Sequence, residues 1–168
     1  MIHKKVHRRR APDEIGVEQA HDLAQVTAIL DALGMSTEGL TWAPACYLLA
    51  YIGDVPIGTA GIEPRVDAAM LRSVGVIELM RRRGTGSRLV EAARVAAHTR
   101  GARTLYTLAP PPLASWFERL GFAPVAQDAL MRALAGTFLA DRLKARSDAL
   151  NGLIGLAVDI ANDGVIER

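Results

Sequence analysis

Apolar positions recur with two periods along the chain, and the period switches several times. Ile15 and Val17 alternate with polar neighbours, as in a short strand. Asp22 is a suitable N-cap for the segment that follows. There Leu23, Val26, Ile29, Leu30 and Leu33 fall at helical spacing, and Gly34 suits a C-terminal stop. Residues 35–44 are turn-rich and predict a short second helix around Thr37 to Leu40, with Trp42 as a core plug or a substrate platform. Ala45 to Ile52 and Val55 to Ile62 are apolar runs joined by Gly53-Asp54, a hairpin signal. Pro56 is tolerable near the start of the second run, where a missing N–H matters least. Glu63, Pro64 and Arg65 then read as a loop, and Ala69 starts a strand that runs to about Ile77.

Simple alternation places Met70, Arg72, Val74 and Val76 on one face of that strand and Leu71, Ser73 and Gly75 on the other. An arginine amid a largely apolar strand is costly unless paired or facing a cleft. Arg72 is therefore either bonded to a structural carboxylate or aimed at a substrate. From Gly86 onward Leu89, Val90, Ala93, Ala96 and Ala97 line one helical face, opposite Arg88, Glu91 and Arg94, and Gly101 ends the helix. Thr104 to Leu108 is strand-like, and Pro110 to Pro112 are expected to block regular structure. LASWFERLGF reads as a short helix closed by Gly121, with Trp116 and Phe117 in the core. Val125 marks a further strand start. Leu130, Leu134, Phe138 and Leu139 predict one helix through about Arg146 despite Gly136, and Leu153 to Ile160 a last strand. Strands interleaved with helices in this order predict an α/β or α+β fold, with helices covering a mixed sheet. No internal repeat or linker divides it, so residues 14–168 are expected to form a single domain.

Composition narrows the class. The 168 residues are 50% hydrophobic, 23% charged and 5% aromatic, ordinary for a globular chain of this length. The net charge is +2, yet Lys4, Lys5, Arg8, Arg9 and Arg10 sit together; without these five the remainder stands at −3. Residues 1–13 read as a basic, disordered arm. The body is not basic enough for a nucleic-acid binder. Cys46 is alone, which excludes a disulfide framework and points to the cytoplasm; its apolar surroundings favour a buried thiol over a nucleophile. No apolar run approaches the about 18 residues that span a bilayer. The basic start has no apolar segment after it, so no secretory signal is expected. His3, His7, His21 and His98 are scattered without metal-ligand spacing, so no metal is expected.

One stretch carries chemistry. Arg81-Arg82-Arg83-Gly84-Thr85-Gly86-Ser87 joins the strand ending near Ile77 to the following helix. It lacks the Gly-Lys-Ser/Thr of a Walker A loop and the G-x-G-x-x-G of dinucleotide folds. What it shares with both is physics: glycines let the backbone approach a ligand, while free amides and a helix N-terminus favour an anion. A tight corner alone would also use these glycines. If a ligand binds, a diphosphate is the natural guest.

Strand, Arg81-x-x-Gly84-x-Gly86, helix, strand, then a helix ending in Phe117-Glu118-Arg119-Leu120-Gly121-Phe122 resembles the GNAT (Gcn5-related) N-acetyltransferase superfamily over residues 14–125. More narrowly, Gly58 to Glu63, Ala69 to Val76 and Leu105-Tyr106 resemble acetyltransferases of arsenic-resistance operons and short N-acetylglutamate synthase-like proteins. The resemblance implies a mixed, mostly antiparallel sheet flanked by helices, with a divergent C-terminal segment from about residue 127. It implies acetyl-CoA as co-substrate: backbone amides from Arg82 to Ser87 on the pyrophosphate, aided by Arg81, Arg82 and Arg83, and Val74, Gly75 and Val76 along the pantetheine arm. The Val74 amide would polarise the thioester carbonyl. Glu63 is the candidate base, or else a solvated loop carboxylate, and Arg72 would grip the carboxylate of an amino-acid-like acceptor. Many GNAT enzymes place a tyrosine acid where Phe117 stands, and a short, polar strand-to-helix connection where Ala109-Pro110-Pro111-Pro112 run.

The expectation is thus an acetyl-CoA-dependent N-acetyltransferase acting directly on the amine of a small, amino-acid-like substrate. The alternatives are a protein N-acetyltransferase and a catalytically reduced CoA-binding scaffold. No membrane partner is expected. Some members of the superfamily pair through C-terminal strands, and Leu153 to Ile160 is apolar enough for a homodimer of that kind.

Overall fold

The computed structural model describes residues 13–42, 44–146 and 148–162. The basic arm expected over residues 1–13 therefore falls almost wholly outside the described residues. Among the described residues seven strands form one sheet: β1 (Ile15–Gln19), β2 (Cys46–Ile52), β3 (Val55–Pro64), β4 (Ala68–Val76), β5 (Thr104–Ala109), β6 (Ala123–Val125) and β7 (Ile154–Asp159). The helices are α1 (Leu23–Ala32), α2 (Thr85–Thr99), α3 (Pro111–Arg119), α4 (Gln127–Ala133) and α5 (Phe138–Lys144). Spatial order is β1-β2-β3-β4-β5-β7-β6. Every neighbouring pair is antiparallel except β4 with β5, which runs parallel because α2 carries the chain back across the sheet.

Alternation along β2 shows how the sheet is covered. Cys46, Leu48 and Ala50 face the core under α2 and α3, where Leu89, Val90, Ala93, Ala97, Ala114 and Phe117 meet them. Tyr47, Leu49 and Tyr51 face the opposite side, under Val26, Ile29 and Leu30 of α1. A third cluster lies farther along that opposite face, where Ala68 and Met70 meet Leu130 and Leu134 of α4 and Ala140 of α5. Leu49, Leu89 and Leu105 have no exposure or almost none, and each contributes about 1.5–3 kcal/mol by leaving water.

Local chemistry explains most of the boundaries. The Asp22 side chain accepts a bond from the Ala24 amide at 2.8 Å and so caps α1. Gly53 turns the hairpin at φ +56°, and Gly101 leaves α2 at φ +92°.

Several expectations are corrected. Residues 38–41 form turns rather than a helix, with Gly39 at φ +76°, and Trp42 is only partly buried. β3 continues through Glu63 to Pro64, so Glu63 is a strand residue with no exposure and not a solvated loop carboxylate. Pro111 and Pro112 open α3 instead of blocking it, because a first helical turn has no use for their missing N–H groups. Val125 ends a strand rather than starting one. The helix expected up to Arg146 is two helices, broken where Gly136 adopts φ +87°.

The alternation along β4 also fails, for a specific reason. Arg72 pairs with Gly61 and Gly75 with Thr59, so Ser73 and Val74 both stand opposite Ala60 alone. This is a β-bulge, with Ser73 at φ +55°. It resets the pleat: Val74 and Val76 now pack with Leu71 on the α2 face. On the other face, a Cβ at Gly75 would fall 2.5 Å from the Leu33 side chain and 3.0 Å from Met35 Sδ.

Candidate active site

The bulge sits where two strands part. β4 and β5 are in register only over Ala68 to Met70 with Thr104 to Tyr106. Beyond that point β5 continues by pairing with β7, out to Ala109 with Ile154. From Leu71 to Val76 the side of β4 that faced β5 has no strand partner, which leaves a wedge. At its apex the Thr107 hydroxyl donates to the Leu71 carbonyl at 3.2 Å, satisfying the first backbone acceptor that the parting strands abandon. Val74, Gly75 and Val76 line the open part of the wedge on β4.

The wedge leads to the basic turn. After Val76 a single 3-10 turn (Glu78–Met80) precedes Arg81, whose Nε donates back to the Val76 carbonyl at 3.0 Å. Arg82 is left-handed at φ +61°, and Gly84 caps α2 at φ +77°. Two left-handed residues bracketing Arg83 curl the backbone so that successive amides converge, the geometry of an anion nest. The turn closes with the Arg88 amide on the Gly84 carbonyl at 3.0 Å, so the amides of Thr85, Gly86 and Ser87 belong to the open first turn of a 15-residue helix. Arg81, Arg82 and Arg83 are all exposed around it.

Two further features show that the turn fits a phosphorylated ligand. Thr85 is buried, and its hydroxyl has no hydrogen-bond partner; such a group calls for an acceptor that a ligand or water would bring. Gly86 stands where a Cβ would come within 3.2 Å of the Trp116 ring and 3.9 Å of Val76. Any side chain there would narrow the space between α2, α3 and the end of β4.

On the other face of the sheet the structure brings Glu63 and Arg72 together. Their partners in register are Met70 and Gly61, so the two side chains meet diagonally across the β3–β4 pair. Arg72 NH1 donates to Glu63 Oε1 at 2.6 Å, NH2 to the Glu38 carbonyl at 2.8 Å, and Nε to Ser73 Oγ at 3.3 Å. Glu63 Oε2 accepts from the Leu139 amide at 3.1 Å, and the Phe138 ring lies 5.8 Å from the guanidinium carbon. Glu38 also forms an ion pair with Arg142. The α1–β2 connection and the start of α5 are thus fastened to one buried ion pair. Tyr47 stands beside Arg72 across Gly61, and its buried hydroxyl is unpartnered. Burial raises the Tyr47 phenol above its ordinary pKa; Glu63 adds to this, while the Arg72 charge opposes it.

The expected site residues therefore divide into two groups. Val74, Gly75, Val76 and Arg81 to Ser87 form one continuous surface from wedge to helix N-terminus. Glu63 and Arg72 lie on the opposite face, bonded to each other, and reach the first group through Ser73. Glu38, Phe138, Leu139 and Arg142 escaped the sequence reading because they lie in a turn and in a helix far along the chain. The diagonal offset of Glu63 and Arg72 was available once the hairpin register was assumed. Cys46 is buried, with Arg100 NH2 at 3.2 Å from its sulfur; burial pushes its thiol up, against the pull of the Arg100 charge. Phe117 is core, edge-on to Trp116 and Phe122. No described helix is long and apolar enough to cross a membrane.

Comparison with known proteins places this geometry. A family model described as an acetyltransferase (GNAT) domain matches residues 43–124. A sequence search among curated proteins finds no match. Among solved structures, the N-acetylglutamate synthase of Neisseria gonorrhoeae, complexed with coenzyme A and N-acetyl-glutamate, aligns with a TM-score of 0.66 at 18% identity, over 88% of this chain and 35% of its own. The chain thus spans about a third of that relative's length. Rv2747 from Mycobacterium tuberculosis, a complex that contains CoA, aligns with a TM-score of 0.66 at 15% identity, over 86% of this chain and 98% of its own. An aminoglycoside 6'-N-acetyltransferase complexed with coenzyme A gives 0.63 at 13%, over 86% and 97%. At such identities the likeness is one of fold, and it extends well beyond the segment that the family model covers. The parted strands, the bulge and the glycine turn all lie inside residues 43–124, the segment that the acetyltransferase (GNAT) domain model matches.

Proposed function

We propose that this protein is an acetyl-CoA-dependent N-acetyltransferase that passes the acetyl group directly to the amine of a small, amino-acid-like acceptor. The observation that carries the reading is the continuity of the wedge with the turn: the β4 edge at Val74 to Val76, without a strand partner on its β5 side, leads to the left-handed pair Arg82 and Gly84 at the N-terminus of α2. The structural neighbours bound to coenzyme A support it.

The turn residues divide the work of holding the cofactor. Backbone amides from Arg82 to Ser87 would take the pyrophosphate, with the helix dipole and three exposed arginines adding positive potential. Thr85 would spend its unpartnered hydroxyl there. The strand edge at Val74 to Val76 would receive the pantetheine amides. Bound acetyl-CoA supplies an activated acetyl group on a thiol that leaves readily near neutral pH, with a pKa of about 8.5. That acidity makes the chemistry tolerant of Phe117, which has no proton to give.

The Val74 amide, in the bulge and without a register partner on β3 or β5, would donate to the carbonyl oxygen as charge develops, a role worth about 3 kcal/mol in comparable sites. The acceptor amine must arrive neutral. An α-amino group titrates near about 8, so water in the open wedge suffices as proton carrier. Glu63 has both oxygens engaged by Arg72 and Leu139, and we assign it to holding β4 rather than to taking that proton.

Phe117 favours one rival, a scaffold that binds CoA without turnover. Calorimetry with acetyl-CoA, followed by thiol release over a panel of amino acids, aminoglycosides and peptide N-termini, separates them. Binding with turnover on free amino acids is expected. Binding with no turnover on any amine leaves the scaffold, turnover on peptides alone makes the acceptor a protein, and absence of binding removes all three readings.

A further inference from the structure

We propose that Arg72 and Glu63 are positioning residues: their buried pair fixes the left-handed backbone of Ser73 and thereby aims the Val74 amide into the wedge. The inference rests on the reading of Val74 as the polarising amide and assigns what holds that amide in place.

A serine at φ +55° is disfavoured in an unsupported chain, and it persists only where its surroundings over-determine it. Neither adjacent strand supplies that constraint, since Ser73 and Val74 lack register partners on β3 and β5 alike. The constraint comes from the preceding side chain. Arg72 spends each of its three nitrogens on a different segment: Nε on the Ser73 hydroxyl, NH1 on Glu63 of β3, and NH2 on the Glu38 carbonyl of the α1–β2 connection. Glu63 passes the anchorage on to the Leu139 amide of α5. Phe138 closes over the guanidinium, and it also packs so tightly on Gly39 that a Cβ there would come within 2.4 Å of its ring.

An ion pair kept for stability alone would need no bond to the bulge. Buried pairs of that kind are often matched by apolar residues of equal volume. The planar fork explains the choice of arginine, because a lysine ammonium cannot hold Ser73, Glu63 and Glu38 in three fixed directions at once. The role also differs from gripping an acceptor carboxylate, for which the guanidinium would have to turn away from partners it already has.

Isotope-edited infrared spectroscopy of [1-13C]acetyl-CoA bound to the full chain tests this without any acceptor. A polarising amide lowers the thioester carbonyl stretch relative to free acetyl-CoA. Wild type should show that lowering. Arg72→Lys should lose at least about half of it while calorimetry gives an acetyl-CoA affinity within about threefold of wild type. Adding Ser73→Gly to Arg72→Lys should restore the lowering, because glycine adopts positive φ without support. A full shift in Arg72→Lys overturns the proposal, and so does a lost shift that Ser73→Gly fails to restore. If Arg72→Lys does not fold, Glu63→Gln is read by the same criteria. Wild type that binds without any carbonyl shift removes the role of Val74, and with it this inference. Wild type that does not bind acetyl-CoA refutes the proposed function itself, so the two failures are distinct.

Discussion

Removing the Glu63 carboxylate should cost much more stability than its single negative charge suggests. In Glu63→Ala the Arg72 guanidinium stays buried with no counter-charge, and breaking a buried pair in this way costs about 3–5 kcal/mol. The Leu139 amide loses its acceptor as well, adding about 1 kcal/mol. A total of about 4–6 kcal/mol is a large part of the roughly 5–15 kcal/mol that holds a domain folded. At about 2–4 °C per kcal/mol for a chain of this length, Tm should fall by at least about 8 °C. Glu63→Gln keeps the shape and one acceptor oxygen but turns a donor toward either Arg72 or Leu139, so about half the loss is expected. Glu63→Leu with Arg72→Leu removes both charges together and should be milder than Glu63→Ala. Urea unfolding followed by circular dichroism gives all three values, provided the slopes agree. Glu63→Ala within about 1 kcal/mol of wild type would refute the reasoning, since it would mean that water already reaches the pair.

Three more outcomes follow from positions described above. Gly86→Trp should abolish acetyl-CoA binding by calorimetry while circular dichroism stays close to wild type, because even a Cβ there meets the Trp116 ring at 3.2 Å; unchanged affinity would count against the cradle. Gly39→Ala should lose about 2–4 kcal/mol in urea unfolding, combining about 1 kcal/mol of left-handed strain with about 1–3 kcal/mol of overpacking against Phe138. Cys46 should resist alkylation in the folded protein and react at the rate of a free thiol in urea. Its pKa is raised, so the folded-state rate should keep climbing at a pH where a free thiol has levelled off; rapid labelling at neutral pH would contradict that.

The sequence was most informative where side chains repeat. Alternation in β2 and helical spacing in α1 and α2 report burial directly, and burial is what places an element against a sheet. The glycine turn was legible because Gly84 takes positive φ at the start of α2 and Gly86 leaves a side chain no room beside Trp116. The bulge was not, since a slip of one residue in β4 leaves composition unchanged and reverses only which face Val74 and Val76 occupy. Glu63 and Arg72 each stood out as charges near apolar runs. Their union needed the register of β3 on β4, and their outer partners Glu38 and Leu139 needed the tertiary fold. The break at Gly136 was misread because its neighbours Leu134 and Phe138 kept a helical spacing across a turn that the backbone does not continue.

The position of β7 sets an order of events during synthesis. β5 forms one wall of the wedge and β6 is the edge strand beyond it, yet neither pairs with the other: both are paired to β7, whose residues are Ile154–Asp159. A nascent chain that has emerged only as far as α5 would therefore hold β5 with an unpaired edge and β6 with no strand to join. Such an edge is open to pairing with other chains until the last strand slots in. The wedge becomes a rigid two-walled site only once β7 has emerged and paired, so cofactor binding should appear with that strand and not before it.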